Sequence, residues 1–394
     1  MWREKLYESY ARYWLPVAFL LFLTGMFWVG DRSLYHKLYY ASLAFPALIV
    51  LVASPSRFVF LRQEPLFLLV LSFSAYVILS LAWAAGEIDF SKIKHPLYIV
   101  MLILAVAALA EHDMRRLIQV VGLAGVAAAL SAVITMILYF KGNGPPSRLE
   151  GFGALYNPLL TSHVYGFFAA LWLAALMSSS RAWAGKLIML MILVLLLFFT
   201  GSRTPFMALG ACFVWLIIMV ADRRIVWLLM PAAIICGVGL WFFGAELLSR
   251  GLSYRPLIWV EAWRQIMPTL WFGHGYDTNI DIFVPGLNRL LADPHNLTLG
   301  VIYQTGLVGG SMWLAIYLYG FLRSWKMRRS GLVLISSTLL MYGFVAGMTE
   351  GSSFMSRPKE HWFLIWIPIA IHLAVLRKVS IKHKVTKKEA VAAC

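Results

Sequence analysis

The sequence predicts an all-α polytopic membrane protein of about twelve transmembrane helices, with one helical loop subdomain outside the bilayer. Of its 394 residues, 61% are hydrophobic and only 13% are charged, too apolar for a soluble chain of this size. Apolar runs of about 20 residues, the length that crosses a bilayer as a helix, recur along the whole chain. The basic residues between them gather mostly on one side, the pattern that membrane insertion imposes.

In order, spans are expected near 13–30, 34–54, 65–85, 94–110, 117–140, 159–179, 183–200, 205–221, 225–243, 296–322, 331–348 and 361–376. The second is the least regular, because it carries His36 and Lys37, and the turn between the seventh and eighth is short. An even number of spans puts both termini on one side. Arg3, Lys5, Arg12, Arg57, Arg62, Arg115, Arg116, Arg181, Lys186, Arg223, Arg224, the basic run Arg323 to Arg329 and the tail from Arg377 to Lys388 share that side. It is therefore the cytoplasmic side, and the net charge of +16 reflects topology and calls for no nucleic-acid partner. The start, Met1-Trp2-Arg3-Glu4-Lys5, leads into an apolar run with no small-residue cleavage signal, as a retained first span would. Cys212 and Cys236 fall inside apolar runs and Cys394 lies in the tail, so neither a disulfide framework nor a Cys-based metal site is expected.

Away from their ends the spans carry His163 and His372 as ionisable groups. A transporter would show carboxylates or bases at mid-depth and often an internal repeat, and neither is found. The chain divides into spans one to nine (1–243), an outer loop with a short helix (244–295), and spans ten to twelve with a basic tail (296–394). In the loop, Arg255-Pro256 suits a helix start. Trp259 and Trp263, four apart, share a face of that helix with Leu257, Ile258 and Ile266, as in an amphipathic helix lying on a membrane surface. The basic tail suits anionic membrane lipids.

Several outer helices begin alike. Asn157-Pro158, Arg203-Thr204-Pro205, Arg255-Pro256, Pro294-His295 and Arg357-Pro358 each place a proline in a first turn, where its missing N–H costs nothing. Free N–H groups and the positive helix end attract anions, and Arg203, Arg255 and Arg357 add a planar fork that pairs with phosphate oxygens. The matching guest is a phosphate or diphosphate; the other reading of these arginines is headgroup anchoring. With Asp293 as N-cap and Pro294 at the first position, His295 is expected in the first turn, where an imidazole exchanges protons near neutral pH.

Arg148, before the sixth span with Gly151 and Gly153 near it, reads equally as a phosphate contact or a structural residue, whereas Arg264 pairs with Glu261. Arg32 sits on a short outer turn with no motif around it. Tyr303 and Gln304 are expected to line a cavity, Glu350 to act as a second acid/base or a sugar contact, and His163 to be a satisfied buried histidine or an acceptor contact. Asp277 and Asp281 are a weak metal pattern without a histidine, so no metal and no cofactor is expected; the Asn296-Leu297-Thr298 glycosylation pattern abuts a span.

Thr200-Gly201-Ser202-Arg203-Thr204-Pro205, Ser253-Tyr254-Arg255-Pro256-Leu257-Ile258-Trp259, Gly273-His274-Gly275-Tyr276 and the stretch Asp293-Pro294-His295-Asn296-Leu297-Thr298-Leu299, in that order within twelve spans, resemble the O-antigen ligase family of bacterial lipopolysaccharide assembly. In topology the likeness covers essentially the whole chain. It implies an enzyme on the periplasmic face of the inner membrane that moves glycan from undecaprenyl diphosphate to the lipid A-core oligosaccharide, with a fold like other integral membrane glycosyltransferases. It further implies an inverting-type, metal-independent transfer, with His295 as the essential histidine and Arg203 and Arg255 engaging the diphosphate. The superfamily also holds O-antigen polymerases and O-linked oligosaccharyltransferases, which stay open as alternatives; the single large outer loop late in this chain favours the ligase. From another class, a lipid-linked sugar transporter would need the charged or repeated mid-membrane elements that are not found.

Overall fold

A computed structural model describes residues 2–84, 89–142, 144–145, 147–220, 254–284 and 290–392. Their regular structure is helical apart from one antiparallel pairing of Ile282–Phe283 with Leu290–Leu291. The main helices are α1 (Trp2–Phe27), α2 (Arg32–Ala53), α3 (Pro65–Trp83), α4 (Lys94–Lys141), α5 (Pro158–Ser178) and α6 (Trp183–Thr200). They are followed by α7 (Thr204–Val220), α8 (Arg255–Ile266), α9 (Leu297–Lys326), α10 (Gly331–Gly347) and α11 (Trp366–Ala392). Among the described residues, eight helices are long and apolar enough to cross a membrane, and α7 and α10 are shorter apolar helices. The protein is thus an all-α polytopic membrane protein. The expected ninth span, 225–243, lies outside the described residues.

Local chemistry explains the interruptions. Within α4 the helix breaks at Asp113 (φ −153°, ψ 100°), so its two limbs correspond to the spans expected at 94–110 and 117–140. The Asp113 carboxylate accepts the Arg115 backbone N–H at 2.9 Å, as a cap on the second limb. In α1 and α2, π-helical turns at Tyr10–Trp14 and Tyr40–Ala44 directly precede Pro16 and Pro46, which cannot donate to the preceding turn. The Trp14 indole donates to the Ser42 carbonyl at 2.7 Å and ties the two turns together.

Polar contacts separate the two ends of the bundle. At one end Arg377 reaches Glu64 (2.8 Å) and Glu111 (3.3 Å), and Arg57 pairs with Glu4 (3.1 Å). At the other, the Leu149 N–H donates to the Phe199 carbonyl, Lys92 pairs with Asp277 (2.7 Å), the Tyr276 hydroxyl donates to the Met355 carbonyl, and Arg32 pairs with Glu360 (3.0 Å). That second end carries the sequence motifs. His372, by contrast, is fully buried and bonded to Ser336 (2.9 Å) and Ser324 (3.2 Å), so it fastens α11 to α10 and α9.

The loop helix α8 buries Ile258, Ala262 and Ile266, a stripe four residues apart, against Ile280, Ile282, Val284 and Ile302. Leu257 and Trp263 are exposed, so Ile258 and Ile266 face the protein and do not share one outward apolar face with them. The reason is that the loop supplies its own small core. Further on, α9 is broken at Gly306 (φ 65°, ψ −169°). The freed backbone groups are satisfied by the loop: Leu307 and Val308 donate to the Leu270 and Trp271 carbonyls, and His274 and Gly275 donate to the carbonyls of Tyr303 and Gln304. The Tyr76 hydroxyl donates to the Thr305 carbonyl at 3.1 Å. A broken helix in a membrane needs such replacement partners. The Gly-His-Gly-Tyr motif is thus a strap laid into the gap. At Gly306 a Cβ would stand 2.2 Å from the Trp271 carbonyl oxygen. Gly306→Ala should therefore destabilise the protein by about 1–3 kcal/mol or more, since positive φ with extended ψ is nearly restricted to glycine. A thermal melt in detergent matching wild type would show that the strap yields freely.

Candidate active site

The sequence brings a histidine, a carboxylate and an arginine together from three separate elements. α9 starts three residues later than the expected cap at Asp293: Asn296 is its N-cap, and the Asn296 side chain accepts the Leu299 N–H at 3.1 Å. His295 therefore precedes the helix, with φ of 50°. Its own N–H is held at 2.7 Å by the Asp293 carboxylate, which caps this turn rather than the helix. The correction has a simple cause, because Asn competes as well as Asp for an N-cap and stands nearer the apolar run. The left-handed turn aims the imidazole across at Glu350.

Glu350 follows the end of α10, and Gly351, with φ of 74°, turns the chain behind it. Its side chain is 6% exposed and forms ion pairs with Arg255, at the start of α8, and with His295, whose Nδ1 lies 3.7 Å from Oε2. At that distance the His295 contact lies just beyond hydrogen-bonding range and becomes an ion pair when the imidazole is protonated. The Glu350 carboxylate raises the His295 pKa above the ordinary imidazole value, against burial, with Asp293 adding to the effect. Burial by itself would raise Glu350, but His295, His163 and Arg255 outweigh it and hold its carboxyl below the usual range. One buried carboxylate therefore orients a guanidinium and an imidazole at the lip of the site.

The remaining expected residues fall around this core. Arg203 is exposed at the start of α7; the adjacent Thr204 hydroxyl meets the Thr349 hydroxyl at 3.1 Å, which sets the motif at 200–205 beside the Glu350 loop. Arg148 donates from Nε to the Thr200 carbonyl at 2.7 Å, at the C-terminal end of α6, and lines a cavity of about 590 Å³ with Tyr139, Glu150 and Phe152. Arg357 is exposed, but Arg357-Pro358 does not open a helix: a short 3-10 turn at Glu360–Phe363 intervenes before α11. Its electrostatic neighbours are His36 and His95, not His295. Asn157, Thr204 and Arg255 do stand at helix starts, as expected.

Tyr303 and Gln304 line a cleft of about 160 Å³ that also includes Pro294, Ser352 and Ser353. They also hold the loop: the Tyr303 hydroxyl donates to the Asn279 carbonyl (2.9 Å) while its ring stacks on His274, and the Gln304 amide donates to the Thr278 carbonyl (3.3 Å). Arg264 pairs with Glu261 at 3.0 Å, and Asp277 is engaged by Lys92. Two readings need correction. His163 is buried, but its Nδ1 has no hydrogen-bond partner among the described residues, so it is not satisfied. Arg32 is no plain turn residue, because it pairs with Glu360, whose side chain is 2% exposed. Glu360 and His361, bonded to each other at 3.2 Å, were not singled out; the charged run Arg357-Pro358-Lys359-Glu360-His361 at the mouth of a span was the available signal.

A family model described as O-antigen ligase matches residues 187–314, which include the Arg203, Arg255 and His295 motifs. The chain is 46% identical over 364 residues to an O-antigen ligase of Pseudomonas aeruginosa, covering 92% of this chain and 90% of that protein. A likeness of that extent places the chain in the O-antigen ligase family.

Proposed function

We propose that this protein transfers O-antigen glycan from undecaprenyl diphosphate to the lipid A-core oligosaccharide, at the periplasmic face of the bacterial inner membrane. The reading includes twelve spans and cytoplasmic termini. The observation that carries the mechanism is Glu350 holding His295 and Arg255 together. His295 accepts the proton of the acceptor hydroxyl, and Glu350 stabilises the imidazolium that results. The acceptor oxygen bonds to the anomeric carbon from the face opposite the diphosphate. The carbon–oxygen bond to phosphate breaks, and the leaving diphosphate keeps the electron pair.

Arg255 and Arg203 offset the charge that grows on the diphosphate, since guanidinium donors strengthen as the leaving oxygen becomes more anionic. Among the described residues the Glu350 contact engages one nitrogen of Arg255, and the other donors of its fork face the phosphate in this reading. Arg148 and Arg357, on the flanks, supply outer phosphate contacts. The cleft of Tyr303 and Gln304 beside Pro294 suits an acceptor sugar, and His163 backs Glu350 from inside the bundle.

The metal-independent reading is supported by Glu350 and Asp277, each of which is engaged by cationic side chains. The test is ligation by purified protein with lipid-diphosphate glycan and lipid A-core in a chelator. Product of inverted anomeric configuration is expected. Strict dependence on a divalent metal would overturn the mechanism, and glycan lengthening without transfer to lipid A-core would favour a polymerase.

A further inference from the structure

Behind Glu350 lies a second carboxylate–histidine unit that the mechanism above does not use. Glu360 accepts from Arg32 at 3.0 Å and lies 3.2 Å from His361 Nδ1 through the same oxygen, Oε1. A carboxylate beside Nδ1 favours a proton on that nitrogen and so orients the ring, with the Nε2 edge turned the other way. That edge packs against Gly351, the residue after Glu350: a Cβ on Gly351 would stand 2.1 Å from His361 Nε2. No side chain fits between them. On its other side, the His361 ring lies 6.1 Å from that of His163. Three buried polar atoms in this cluster, Arg32 Nε, Glu360 Oε2 and His163 Nδ1, have no hydrogen-bond partner among the described residues. Burying a charged pair in this way is weak support for stability, so stability alone does not account for it.

We infer that Arg32, Glu360 and His361 form a positioning chain, in which the oriented His361 ring fixes the Gly351 turn and thereby the aim of Glu350 at His295 and Arg255. The inference rests on the proposed transfer reaction. None of the three residues touches substrate. They link the first turn of α2 to the loop after α10, so the far side of the bundle contributes to the geometry of the reacting centre. Arg32 is a third exposed at the surface, where its guanidinium also lies over the Tyr156 ring at 5.1 Å.

The test measures kcat and donor KM for ligation by full-length Glu360→Gln, Glu360→Asp and Arg32→Lys at matched folded concentration. Losing the partner that orients a metal-ligating histidine costs about 10- to 100-fold in activity, and a loss of that order is expected at this oriented histidine. Glu360→Gln should lower kcat within that range while donor KM stays near wild type, and Glu360→Asp, which keeps the carboxylate, should recover part of the loss. If Glu360→Gln does not fold, Arg32→Lys decides, because that side chain reaches the surface; it should lower kcat in the same selective way. Wild-type kcat in a folded Glu360→Gln, or in Arg32→Lys where only that variant folds, overturns the inference, as does a defect confined to KM. A wild-type protein that performs no ligation fails the proposed function instead, so the two failures are distinct.

Discussion

His295→Ala should leave a folded, inserted protein whose ligation rate falls by about 10²- to 10⁴-fold, the usual cost of removing a general base. The side chain is 36% exposed and helps close no core, so truncation should spare stability. Near-normal transfer by a well-expressed variant would remove the mechanism. The pH dependence adds a second reading of the same residue. Because Glu350 raises the His295 pKa, the free base needed for proton abstraction becomes available at higher pH than an unpaired imidazole would allow. Glu350→Gln should therefore shift the acidic limb of the rate profile toward lower pH, even as it slows the reaction. For stability the sign runs both ways. The raised histidine contributes below its unfolded pKa and loses its contribution as pH climbs through the folded value; the depressed carboxylate contributes above its unfolded pKa and loses its contribution as pH falls. The pair is at full strength between roughly pH 4.3 and 6.5, the ordinary values of the two groups.

Much of this site was legible in the sequence because its parts announce themselves locally. A proline after Asn157, Thr204 or Arg255 marks a helix start from the chemistry of one residue, and α5, α7 and α8 begin there. The same rule misplaced His295, because Asp293 and Asn296 are both good caps and only the fold decides which one heads the helix. It also failed at Arg357-Pro358, where the chain needs a 3-10 turn to seat Trp362 and Phe363 in the core before α11 can run. The length of the apolar runs marks both limbs of α4, since each limb is long enough to cross alone. What sequence could not supply is pairing at long range. Arg32 and Glu360 are 328 residues apart, and nothing in either neighbourhood names the other. Likewise Gly-His-Gly-Tyr stands out only as a family motif, and nothing around it names its task of filling the break in α9 at Gly306.

Arg255→Lys should lower the ligation rate by about 10- to 100-fold, because an ammonium keeps the charge but cannot hold Glu350 and phosphate oxygens with one planar fork. Charge-assisted hydrogen bonds of this kind contribute about 1.5–3 kcal/mol each, which corresponds to that loss when the bond strengthens in the transition state. Arg255→Ala should do more. It leaves Glu350, 6% exposed, with His295 as its nearest remaining partner, and breaking a buried pair from one side costs about 3–5 kcal/mol. The structural and chemical parts of that loss can be separated. In Arg255→Ala with Glu350→Gln the uncompensated charge is gone, so melting should return toward wild type, whereas ligation should stay as low as in Arg255→Ala alone. A double variant that recovers both stability and transfer would show that Arg255 serves only to neutralise Glu350, and the diphosphate clamp would then have to be sought at Arg203.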